Sequence, residues 1–305
     1  MKVVFMGTPD FAVSTLESLL DSAHEVTAVF TRIDKPRNRG KKITFSPVKE
    51  VANQHRIPVY QPTSLRGENE EEVLRILREH NPDCIVVVAY GMILPQSVLD
   101  FPKYGCLNVH ASLLPKYRGA APINRCIMSG ESESGITIIQ MDSGIDTGDM
   151  LLSEKVEISP DMNASQLHDV LAKVGGGLIV RALDGIETLL PIKQNHDDST
   201  YAAMFKKDEC RLDCSHSAKK LCDFIRGLAD SPCAFTFWGE SGKRLKIYRA
   251  VAGEAYEQAG IPLKCGKNGE ETIILTEIQP EGGKRMSATE FLKGFKDFKG
   301  GKSCL

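Results

Sequence analysis

The chain has 305 residues, 42% of them hydrophobic and 26% charged, with a formal net charge of −2. At about 100–200 residues per domain two domains are expected, and a composition near the globular average excludes a disordered or collagen-like chain. The charge gives no sign of a polyanionic partner, but it is uneven: residues 1–205 hold 20 Lys and Arg against 26 Asp and Glu, and residues 206–305 hold 18 against 14.

The first apolar run, Val3-Val4-Phe5-Met6, is too short for a signal-peptide core, and no Arg- and Ser-rich segment precedes it. No run approaches the roughly 18 apolar residues of a membrane span. The nine cysteines are an odd number in a chain that needs no disulfides, so they read as reduced thiols. A soluble, cytoplasmic protein with no membrane partner is expected.

Strand patterns fall at 2–6, 25–31, 84–89, 106–110 and 136–141, with helical patterns between several of them at 9–20, 47–54, 69–80 and 122–128. Such alternation predicts an α/β, Rossmann-like parallel sheet covered on both faces, with ligands at the carboxyl ends of its strands. The first strand–helix turn, Gly7-Thr8-Pro9-Asp10, has one glycine where a dinucleotide fingerprint has three, and no Walker motif follows. A basic run then carries Arg32, Lys35, Arg37, Arg39, Lys41 and Lys42 against Asp34 alone. It is either a solvated loop or a phosphate-contacting one.

In the strand at 106–110, residues two apart share a face, so Asn108 and His110 project together near its carboxyl end. An amide beside an imidazole there can stabilise a carbonyl becoming an oxyanion. Alone, the pair reads as readily as a loop-bridging amide and a satisfied interior histidine. Asp146 follows the strand at 136–141, in a loop with Gly144 and Gly148 on either side. By itself this describes an Asx turn. Placed beside the imidazole, the carboxylate would orient it and form an acid–base pair. Asn, His and Asp at neighbouring strand ends fit transfer of a carbonyl group.

A long helix is expected over 163–185, interrupted by Gly175-Gly176-Gly177, which points to a close packing contact or a kink. Residues 190–207 are polar and aperiodic and read as a linker between domains 1–189 and 208–305. Beyond it come a helix at 217–228, strands near 234–238, 244–251 and 272–279, and a last helix from Ser287 through Phe295 with capping-box spacing, which together predict a small OB-like β-barrel. No metal site is expected, because Cys210, Cys214, His216 and Cys222 come closest and match no zinc spacing.

The motifs G-T-P-D-F-A (7–12), R-G-K-K (39–42), A-Y-G-M-I-L-P (89–95), N-V-H-A-S-L-L-P (108–115), Y-R-G-A-A-P-I (117–123), M-D-S-G-I-D-T-G-D-M (141–150) and M-S-A-T-E-F-L (286–292) resemble the methionyl-tRNA formyltransferase family. The resemblance implies transfer of a formyl group from the cosubstrate 10-formyltetrahydrofolate to the α-amine of methionine on initiator methionyl-tRNA. It implies a Rossmann-like catalytic domain and an OB-like tRNA-binding domain. The family's catalytic trio falls on Asn108, His110 and Asp146. Its folate pocket falls on Tyr90, Gly91, Ile93, Leu94, Ser112, Leu113, Leu114 and Pro115, and its tRNA-discriminating loop on Arg37, Arg39, Lys41 and Lys42. A monomer is expected. Asn38 stands where the family's loop usually has Gly, Cys214 where an aromatic residue is common, and the 230–234 region lacks a tryptophan often found after its proline, where this chain has Cys233. A formyltransferase acting on a small amine, and an RNA-binding module on a catalytically dead domain, are the alternatives.

Overall fold

The computed structural model describes residues 1–37, 42–238, 242–253 and 260–294, with backbone alone at 35–37, 42 and 43. Two compact units make up the chain. One comprises Met1–Gly119, Gly135–Val156 and His168–Tyr201, and the other Ala120–Ser134, Glu157–Leu167 and Ala202–Leu305. The segment 190–207 is thus divided between them after Tyr201.

In the first unit the chain runs β1 (Lys2–Gly7), α1 (Phe11–Leu20), β2 (Glu25–Phe30), a hairpin of β3 (Lys35–Arg37) and β4 (Lys42–Thr44), α2 (Pro47–Gln54), β5 (Val59–Tyr60), α3 (Glu70–His80), β6 (Cys84–Val88), α4 (Gln96–Leu99) and β7 (Cys106–His110). After α5 (Pro122–Met128), which belongs to the second unit, come β8 (Glu133–Gln140), β9 (Met150–Glu157) and α6 (Ala164–Asp184). The seven-stranded sheet has the order β5-β2-β1-β6-β7-β8-β9. Strands β5, β2, β1, β6 and β7 are parallel. All five residues of β6 are buried, as a central strand covered on both faces requires.

The strand expected at 136–141 is present as β8, but it runs antiparallel to β7, with His110 opposite Thr137. The sheet is therefore mixed. The 22 residues between His110 and Glu133 bring the chain back to the end of β7 that it left, so β8 enters from that same end. The edge strand β9 has no counterpart among the sequence expectations.

The three glycines do not break α6. A Cβ on Gly175 would lie 2.9 Å from Val109 Cγ1, so the helix packs close against β7. Val109 alternates with Asn108 and His110 along the strand, and the glycine contact therefore supports the face opposite that pair.

The second unit contains α7 (Ala218–Gly227), whose first turn is capped by the Ser217 hydroxyl accepting from Lys220 N. Strands β10 (Ala234–Trp238), β11 (Lys243–Ala252), β12 (Ile261–Cys265) and β13 (Glu271–Pro280) form an antiparallel sheet in the order β10-β11-β13-β12, with β14 (Met286–Ser287) paired to β13. Register shifts near Arg249 curl β11, giving a half-barrel among the described residues. The core gathers Leu221, Ile225, Phe235, Ile247, Leu275 and Phe291. Helix α8 (Ala288–Gly294) begins with the expected capping box, Ser287 and Glu290 each bonding the other's backbone N–H at 3.2 Å. Phe295 lies outside the described residues.

Candidate active site

Strand β7 delivers Asn108 and His110 to one face of the sheet near its carboxyl end. The loop between β8 and β9 brings Asp146 to them. Asn108 Nδ2 donates to Asp146 Oδ1 at 3.2 Å, and Asp146 Oδ2 lies 3.5 Å from His110 Nδ1. On the other side of the ring, His110 Nε2 is 3.0 Å from the Tyr117 carbonyl. Both ring nitrogens therefore face oxygens that can only accept. The His110 side chain is 6% exposed and that of Asp146 16%, so the pair acts in a mostly dry setting.

The Asx turn of this loop is made by Asp142. Its Oδ1 accepts from Gly144 N at 3.0 Å and from Thr147 Oγ1 at 2.6 Å, which leaves the Asp146 carboxylate for the site. Asp146 has φ of 53°, a left-handed conformation that aspartate tolerates. A Cβ at Gly148 would meet Gln140 O at 1.8 Å, so the loop closes against β8 only with glycine there. Gly119 N donates to Asp146 Oδ2 at 2.8 Å, and Gln194 Nε2 donates to the carbonyls of Asp146 at 2.9 Å and Gly148 at 2.7 Å. Gln194 carries no motif signal of its own, and Tyr117 and Gly119, which lie in the 117–123 motif, act here through backbone atoms that the motif does not single out.

The expected folate residues flank this centre along the chain. Ser112 is buried, its hydroxyl donating to Lys116 O at 2.6 Å. Thr137 on β8 ties the loop down, donating to Ser112 O at 2.7 Å and accepting from Leu114 N at 3.2 Å. Leu114 is buried, while Leu113 and Pro115 are half-buried. After β6, Tyr90 and Leu94 are buried in the core with Ile85 and Val98, and that burial pushes the Tyr90 phenol up. Gly91 and Ile93 are exposed, and Gly91 O accepts from Arg32 Nη1 at 3.1 Å.

Of the expected tRNA-contacting residues, Arg37 and Lys42 face each other as the closing pair of the β3–β4 hairpin, and Arg39 and Lys41 lie outside the described residues, as does Asn38. The eight described cysteines are free thiols. Cys210, Cys214 and Cys265 are buried in the second unit's core. Among the described residues no group of three or more His, Cys, Asp or Glu is placed to hold a metal ion, and no helix is long and apolar enough to cross a membrane.

A formyl transferase family model matches residues 1–183, and a formyl transferase C-terminal domain model matches residues 204–296. The methionyl-tRNA formyltransferase of Clostridium perfringens is 45% identical over 302 residues, covering 96% of this chain and 97% of that one. That of Geotalea daltonii is 44% identical over 310 residues, covering 99% and 98%. The chain belongs to the methionyl-tRNA formyltransferase family. Its fold is also that of the N-formyltransferase from Helicobacter canadensis, solved with folinic acid and dTDP-3-aminofucose, at a TM-score of 0.64, 20% identity and coverage of 90% of this chain and 99% of that one. This chain thus carries one formyl transferase module followed by a second.

Proposed function

We propose that this chain transfers the formyl group of 10-formyltetrahydrofolate to the α-amine of methionine on initiator methionyl-tRNA, with residues 1–189 carrying the chemistry and 208–305 holding the tRNA. The near full-length similarity to methionyl-tRNA formyltransferases carries the reading. The folinic acid in the Helicobacter canadensis enzyme supports a folate donor. A cytoplasmic monomer fits this role.

The amine nitrogen attacks the formyl carbon, and charge gathers on the formyl oxygen. Asn108 Nδ2 has two hydrogens, of which the Asp146 contact takes one, so the second is available to that oxygen. His110 is held between Asp146 and the Tyr117 carbonyl, and its protonated form stabilises the same oxygen. Asp146 holds the imidazolium in place and relays the proton leaving the amine. The carbon–N10 bond then breaks, N10 takes a proton, and formylmethionyl-tRNA and tetrahydrofolate separate. The exposed part of the Tyr90–Leu94 segment and the 112–115 loop would bound the folate, and Arg37, Arg39, Lys41 and Lys42 would contact tRNA phosphates.

A formylation assay with 10-formyltetrahydrofolate tests this directly. Charged initiator methionyl-tRNA should be formylated, and free methionine or an amino sugar should not. Equal use of a small amine would favour a small-amine formyltransferase, and no turnover with any acceptor would favour a binding protein.

A further inference from the structure

Residues 192–201 form a strap across the first unit. Ile192 exchanges two backbone hydrogen bonds of 2.8 Å with Met150. At its other end, Thr200 O accepts from Arg118 N and Thr200 Oγ1 from Tyr117 N, both at 2.8 Å. Between these anchors sits Gln194, 6% exposed. Its amide is saturated. Nε2 donates to the Asp146 and Gly148 carbonyls, and Oε1 accepts from Arg118 Nε at 3.0 Å and Nη2 at 2.7 Å. Arg118, 2% exposed, also donates from Nη1 to His196 Nδ1 at 3.2 Å.

We propose that Gln194 is a positioning residue for the formyl transfer, with the buried Arg118 as its anchor: the pair fixes the backbone of the Asp146 loop so that the carboxylate meets Asn108 and His110. The inference rests on the reading that Asp146 is catalytic. Three observations support it. The loop conformation is one an L residue rarely adopts, since Asp146 has positive φ, and such a conformation persists only where its surroundings over-determine it. Gln194 binds the carbonyls on both sides of Thr147, and so fixes the loop rather than a single atom. The strap also holds the 117–119 turn that supplies the Tyr117 carbonyl to His110 and the Gly119 N–H to Asp146. One segment thus sets both partners of the imidazole.

Gln194→Glu tests the loop contacts. It keeps an acceptor for Arg118, removes the two donated bonds and sets a carboxylate against the two carbonyl oxygens. Steady-state formylation of initiator methionyl-tRNA across pH should be compared for wild type, Asp146→Asn, Gln194→Glu and the double variant. Gln194→Met, neutral and of similar volume, is measured beside them and replaces Gln194→Glu if the charged variant does not fold. The expected result is a kcat lowered about 10- to 100-fold with little change in either KM. For the neutral Gln194→Met, which frees the Asp146 loop without adding a charge, the pH profile of kcat should shift in the same direction as that of Asp146→Asn. In the Asp146→Asn background, Gln194→Glu should cost nothing more. If Asp146→Asn itself keeps wild-type kcat, the catalytic reading of Asp146 fails and takes this inference with it. If Asp146→Asn is crippled and the Gln194 variant keeps wild-type kcat, the positioning role alone is overturned. A slow Gln194→Met with an unmoved pH profile, or losses that multiply in the double variant, overturns it equally.

Discussion

Tyr117 and Asp146 grip opposite edges of the His110 ring, and both do so from left-handed backbone, with φ of 60° and 53°. The Tyr117 carbonyl lies 3.0 Å from Nε2 and Asp146 Oδ2 3.5 Å from Nδ1. Two residues in a region that L side chains rarely visit, converging on one imidazole, mark a place where local backbone preference has been overridden for the sake of the ring's orientation.

Asn108→Ala, His110→Ala and Asp146→Ala should each lower kcat about 100- to 1,000-fold, the scale of losing one oxyanion donor or its support. Circular dichroism should show the sheet intact in all three. Near-wild-type turnover in any of them removes that residue from the mechanism.

Gly148→Ala should damage the site without touching any reacting group. The added methyl would sit 1.8 Å from Gln140 O, so the loop must shift or the chain must give way. A loss of about 1–3 kcal/mol in urea unfolding is expected, together with a fall in kcat. Unchanged stability and turnover would show that the loop closes against β8 less tightly than the structure has it.

Arg39→Ala should raise KM for initiator methionyl-tRNA and leave folate binding alone. If the side chain neutralises one phosphate, the slope of log affinity against log salt should become shallower by about 0.7–0.9. The measurement is KM for tRNA at a series of salt concentrations. An unchanged slope would return the basic run to ordinary solvated surface.

Burial raises the Cys84 thiol from 9.0 to about 12 and the Cys222 thiol from 9.0 to about 11. A thiol whose folded value is raised stays protonated while the unfolded chain ionises. Its contribution to stability is complete below pH 9 and is lost as pH rises through the folded value. Native protein should therefore resist iodoacetamide at these positions at pH 8.5, read by mass spectrometry, and should lose stability between pH 9 and 12. Rapid native labelling of Cys84 would contradict its burial.

The parallel half of the sheet and the Asn108–His110 pair are legible in the sequence because both rest on local periodicity: apolar runs of strand length, and side chains two apart on one face. The direction of β8 is not, since it depends on which end of β7 the connection over 111–132 returns to. Asp146 is visible as a carboxylate between glycines, but its role is separated from the Asx turn only by seeing that Asp142 makes that turn. Arg118 stands in the 117–123 motif, which does not tell its burial or its partner, and Gln194 leaves no local trace. Gln194 meets Arg118 across 76 residues and the Asp146 loop across 48, and its surroundings in sequence are as polar and aperiodic as a surface connection. A glutamine there reports its burial only in three dimensions.

The division of the 190–207 segment after Tyr201 decides which contacts to Asp146 and Arg118 a shortened chain keeps. A recombinant fragment ending at Leu189 keeps Asn108, His110 and Asp146, along with every motif of the first formyl transferase module. It also strips the amide from the Asp146 and Gly148 carbonyls and the hydroxyl from Tyr117 N, and it leaves the Arg118 guanidinium buried without Gln194 or His196. A fragment extended to Tyr201 retains all of these. Twelve residues that look dispensable on paper separate a truncation carrying the full wiring around Asn108, His110 and Asp146 from one that carries only the letters.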